Sequence, residues 1–169
     1  MTIDDLDLAG WRTLAHVGAD ALPEDWRDRL AARLGQRPRR VGLWTELAMY
    51  GARRCLDAAG EAALPAGARL RATSLRGPLG AMQAGLAQLD AGMPMPFTFM
   101  QGQPALMLAE VGRCLGWQGD ASFMLGREAR RLPRLAAHGT GAAGLLFGVV
   151  EEGREGEAAR SEWWRLVPA

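Results

Sequence analysis

The chain has 169 residues, a formal charge of +1 and nearly half of its residues apolar. That describes one globular domain able to bury a core, with no basic footprint for nucleic acid. All twenty basic residues are arginine, which excludes a Schiff-base lysine, a pyridoxal phosphate anchor and a phosphate-loop lysine.

Residues 2–11, TIDDLDLAGW, alternate Ile3, Leu6 and Leu8 with aspartates and predict an edge strand. LPEDWRDRLAARLG (22–35) predicts a short helix, with Pro23 near its start, acids in its first turn and Gly35 as its stop. After the charged linker QRPRR, residues 41–60 give the clearest amphipathic helix. Val41, Trp44, Leu47, Ala48, Gly51 and Cys55 share one face, and Gly60 ends it. RLRATSL (69–75) alternates like a strand, and residues 76–92 predict a helix with Leu79, Met82, Leu86 and Leu89 in line. MPMPFTFMQGQP (93–104) reads as an extended, proline-punctuated apolar loop. A helix over 105–116, apolar almost all round, follows it.

GDASFMLGREARR (119–131) predicts a strand over Ala121–Leu125, a turn at Gly126 and an arginine-rich helix that stops at HGTG. AAGLLFGVVEE (142–152) is a near-continuous apolar run of the kind found in a strand covered on both faces. GREGEAARSE is a charged hairpin or loop, and WWRLVPA a last strand. Strands separated by helices predict an α/β fold: a mixed, mostly parallel sheet with helices on both faces.

Few residues offer chemistry. His16 falls in a predicted N-terminal loop, and His138 caps a helix C-terminus. Ser74 and Ser122 lack the G-x-S-x-G frame, and Glu151 and Glu152 adjoin a charged loop, where solvation is expected. GTGAAG (139–144) matches a dinucleotide fingerprint by letters only, because the predicted order is helix then strand. Cys55 and Cys114 sit singly on helix faces as small core residues, without a CxxC spacing, so neither a metal nor another cofactor is expected. The acidic start lacks a signal-peptide pattern and no apolar run approaches a membrane span, which together predict a cytoplasmic protein with no membrane contact.

The order of these segments resembles the N-terminal half of the thiolase-like β-ketoacyl synthases, particularly their non-catalytic chain-length-factor type. The likeness is strongest over residues 41–152 and implies one such domain over 1–169. RVGLWTELAMYGARRCLDAAG resembles the family's first long helix, and LRATSLRGPLGAMQAGLAQLDAG its next strand and helix. PMPFTFMQGQPALMLAEVGRCLGWQGD is similar to the segment before the nucleophile strand. In that family a cysteine stands at the turn after this strand, where helix amides activate it and bind a thioester oxyanion. The resemblance puts Glu128, with Arg127 beside it, where the cysteine would be. The two catalytic histidines would belong to a second half that this chain does not extend into.

The resemblance therefore implies a non-catalytic accessory protein of a bacterial fatty-acid or polyketide pathway, such as aryl polyene pigment synthesis. It would dimerise through strand 121–125, with itself or with a ketosynthase. Phe97, Phe99, Met100 and Met124 are candidates for an acyl pocket or interface. Arg127, Arg130, Arg131 and Arg134 are candidates for contact with an acyl carrier protein. Two other readings stand beside it. One is an enzyme acting on acyl thioesters (a decarboxylase, dehydratase or hydrolase) with Glu128 as its acid or base. The other is a structural or regulatory interaction module.

Overall fold

The computed structural model describes residues 8–18, 20–93, 95–126, 131–154 and 156–169. In chain order the elements are β1 (Trp11–Val17), α1 (Trp26–Leu34), α2 (Leu43–Ala58), β2 (Arg69–Thr73), α3 (Leu79–Asp90), α4 (Pro96–Gln101) and α5 (Pro104–Cys114). They continue with β3 (Ala121–Met124), α6 (Leu132–Ala137), β4 (Leu145–Glu151) and β5 (Arg160–Pro168). The strands form one mixed sheet in the order β1-β5-β4-β2-β3. β2 runs parallel to both β3 and β4, whereas β5 is antiparallel to β4 and to β1.

Alternation along β4 assigns the two faces of the sheet. Leu146 and Val150 join Leu70, Ala72 and Trp163 in a large core under α2 and α5. Leu145, Phe147 and Val149 join Trp164 and Leu166 in a smaller one with Leu132 and Ala136 of α6. Helices thus cover both faces, and β4 is buried from Leu145 to Val150, as its apolar run predicts.

Trp163 sets the spacing between α2 and the sheet. A Cβ added at Gly51 would stand 2.4 Å from its ring, and one at Gly148 2.5 Å from it. The indole therefore lies between two glycines. Its Nε1 donates to Ser161 Oγ at 3.0 Å, and that hydroxyl donates to the Leu47 carbonyl at 2.5 Å. On the same face Trp44 Nε1 donates to the Val150 carbonyl, and its ring meets Phe123 edge-on.

Two elements differ from the sequence expectation. The first strand is Trp11–Val17, beyond the expected 2–11; residues 1–7 lie outside the described residues, and Leu8–Gly10 form a turn. A register shift between Thr13 and Ala15 breaks the two-residue period that would have revealed this strand. His16 consequently belongs to β1, not to a loop. Its Nε2 donates to buried Glu162 at 2.8 Å, and its ring stacks on Trp164 at 4.7 Å. Within 93–104, residues 96–101 are helical rather than extended, because Pro96 occupies the first helical turn, where its fixed φ suits a helix and its missing N–H costs nothing.

Candidate functional site

In open α/β sheets the crevice beyond the carboxyl ends of parallel strands is where ligands bind. Here that rim comprises Thr73 at the end of β2 and Ser74 beyond it, Met124 at the end of β3 with Leu125 and Gly126, and Glu151 at the end of β4 followed by Glu152. Thr73 Oγ1 donates to the Met124 carbonyl at 2.8 Å and ties two of the strand ends together.

The acidic pair is engaged, contrary to the solvated state expected from the sequence. Glu151 accepts from Ser74 Oγ at 2.8 Å and from the backbone N–H groups of Leu75 and Arg76. Ser74 Oγ in turn accepts from Gly77 N at 2.7 Å. Glu152 is only 5% exposed and accepts from Gly80 N, in the first turn of α3, at 2.5 Å. Pro78 stands at the N-cap of α3 and no side chain of α3's own segment caps the helix, so β4 supplies the acceptor from across the fold. Both carboxylates hold the β2–α3 loop, which makes them structural anchors of the rim. The sequence signal for this was slight: a serine three residues before a glycine, and two glutamates closing an otherwise apolar strand.

Beyond the anchored loop the surface turns apolar. α3 and α4 bury no residue completely. Between them runs an open groove of about 670 Å³ whose walls include Met82, Leu86, Leu89, Met95 and Phe99. Phe99 is 70% exposed. Gln88 also borders the groove, and its Oε1 is buried without a hydrogen-bond partner. A second open groove, about 850 Å³, follows small residues of α5 (Ala105, Ala109, Gly112) to Trp117 and Ala121 at the start of β3. Trp117 Nε1 is likewise buried and unpaired. β3 itself is a border strand, paired only with β2 among the described residues.

The expected site residues separate in space. Phe97, Phe99 and Met100 all lie on α4, and of these Phe99 lines the groove. Met124 closes β3 and packs against the α6-side core. Arg131 and Arg134 are exposed at α6. Arg127, Glu128 and Arg130 lie outside the described residues. Gly126 keeps an ordinary φ, and its role is close approach: a Cβ there would come within 2.9 Å of Leu132 Cδ2.

The thiols are poor nucleophiles. Burial pushes Cys55 up to about 12 and Cys114 up to about 11. His138 is exposed, and its backbone, not its ring, closes α6. Among the described residues no three His, Cys, Asp or Glu side chains gather as a metal site. No helix among them is long and apolar enough to cross a membrane.

The mixed five-stranded sheet with α2 and α5 on one face and α6 on the other shares its fold with solved ketosynthase and chain-length-factor structures. Two examples follow. One is described as the ketosynthase ApeO in complex with its chain length factor ApeC from Xenorhabdus doucetiae. It matches with a TM-score of 0.62 and 15% identity, over 96% of this chain and 79% of that one. The other, the ishigamide ketosynthase/chain length factor, matches with a TM-score of 0.57 and 13% identity. That match takes in 94% of this chain and 58% of the other, so this chain spans little more than half of its length. No protein-family profile and no curated protein matches the chain.

Proposed function

We propose that the protein is a non-catalytic, ketosynthase-like accessory subunit that docks on a partner synthase in a bacterial fatty-acid or polyketide pathway, of which aryl polyene synthesis is one example. One observation carries the reading. The chain has the ketosynthase/chain-length-factor fold over nearly its whole length, yet the strand-to-helix segment 119–131 contains no cysteine. The border of β3, unpaired among the described residues, supports docking through strand 121–125. The apolar groove at Phe99 and the unpartnered atoms of Gln88 and Trp117 are surfaces that a partner or an acyl chain would cover. In this reading Phe97, Phe99, Met100 and Met124 serve an interface or acyl pocket, and Arg127, Arg130, Arg131 and Arg134 meet an acidic carrier protein in the cytoplasm.

Co-expression with a ketosynthase encoded beside it tests the proposal. The expected result is co-elution in a stoichiometric complex that Ala121→Pro, placed on the border strand, disrupts without lowering the melting temperature of the isolated chain. A monomer that binds neither synthase nor carrier protein overturns the reading. Turnover of acyl thioesters by the isolated chain, lost on Glu128→Gln, would favour the enzyme instead.

A further inference from the structure

A cleft of about 230 Å³ opens between α1 and α2, far smaller than either apolar groove. Its walls carry Arg29 and Arg33 of α1, one turn apart, and Tyr50, Arg53, Arg54 and Asp57 of α2. Guanidinium groups stay charged at any working pH. Arg53 is committed to the fold: it donates to Asp57 and to the carbonyls of Glu61 and Ala62. Arg33 forms a two-pronged pair with Asp57 at 2.8 and 3.1 Å, and Arg29 pairs with Asp25 at 2.8 Å. Arg54 has no carboxylate partner among the described residues, and its guanidinium lies 5.4 Å over the Tyr50 ring. Four guanidiniums thus face two carboxylates, Asp57 and Asp25, and a surplus of two positive charges remains.

Tyr50 supplies a second, independent observation. The residue lines the cleft, and its hydroxyl has no hydrogen-bond partner among the described residues. The hydroxyl is therefore left to water or to a ligand in the cleft. Here the side chain lines a cationic cleft, so the acceptor it fits is anionic.

We propose that this cleft binds the phosphate of a phosphomonoester. A phosphomonoester carries close to two negative charges at neutral pH and several acceptor oxygens. It matches the surplus charge, the Tyr50 donor and the forked donors of Arg54 together. A carboxylate cancels only half of that charge, and the cleft is too small for a helix.

Titration of the full chain with inorganic phosphate, followed by phosphorus NMR and thermal melting at constant ionic strength, tests the site. Saturable binding and a raised melting temperature are expected, strengthening as phosphate passes from monoanion to dianion. Tyr50→Phe and Arg54→Gln should each weaken binding at least about tenfold. Tyr50→Phe should leave the phosphate-free melting temperature unchanged, which a structural hydroxyl would not allow. Glycerol phosphate and a phosphoserine peptide form two further arms. Whichever binds more tightly than inorganic phosphate identifies a free or a protein-borne ester. The proposal is overturned if phosphate acts no differently from acetate or chloride, if both variants bind like the parent, or if neither ester exceeds inorganic phosphate.

Discussion

Trp163 shows how a single side chain fixes the position of a helix in this protein. Its ring is fully buried between Gly51 of α2 and Gly148 of β4, and its N–H is satisfied through Ser161 rather than left in the core. Close packing of this kind resists added volume as much as lost volume. Gly148 pairs with Trp163 across the β4–β5 ladder, so neither partner can withdraw without breaking register. Gly148→Val should therefore lower stability by about 2–3 kcal/mol or prevent folding. A shifted urea midpoint at constant slope would show it, and unchanged stability would mean that α2 can lift from the sheet. Polar residues at this scale follow the same logic. Arg71 is nearly buried, and its hydrogen bond to Asp120 at 2.7 Å holds that carboxyl below its ordinary range.

At the scale of elements, α3 depends on its first turn. It buries none of its residues fully, and the cap at Gly80 comes from Glu152 at the end of β4. Removing that acceptor should release the helix while the sheet stays closed. For Glu152→Ala we expect a loss of about 1–2 kcal/mol and faster amide exchange confined to 79–92, read by hydrogen–deuterium exchange. Equal acceleration in β4 would show that the glutamate supports the sheet instead. This cap also marks the limit of what the sequence discloses. α2 and β4 are legible because their apolar periods are uninterrupted and local. β1 is not, because its register shift hides the alternation, and α4 is not, because Pro96 reads as a breaker although it opens the helix. The candidate rim was harder still. Glu152 meets Gly80 across 72 residues and Glu151 meets Ser74 across 77, and no local pattern encodes either meeting. The arginines of α1 and α2 could be counted from the sequence, but not the way the two helices bring them around Tyr50.

The whole molecule is lopsided. On the α1–α2 side, arginines meet carboxylates: Arg27 with Glu46, Arg33 with Asp57, and Arg37 with Asp28. On the α3–α4 side, Met82, Leu86, Leu89, Met93, Met95 and Phe99 are all more than half exposed, and Asp90 is the only charge within either helix. Monomeric proteins rarely leave so continuous an apolar surface to water, and aqueous stability favours covering it. The isolated chain should therefore associate reversibly in the micromolar range, which sedimentation velocity will detect as a concentration-dependent coefficient. Leu86→Glu with Phe99→Glu should abolish that association and bring the chain to a monomer. Because neither side chain is buried, the melting temperature should stay close to that of the parent. The two outcomes must appear together. Association that survives both substitutions would move the contact to the border of β3, and a parent monomeric at every concentration would show that the apolar side needs no cover of its own kind.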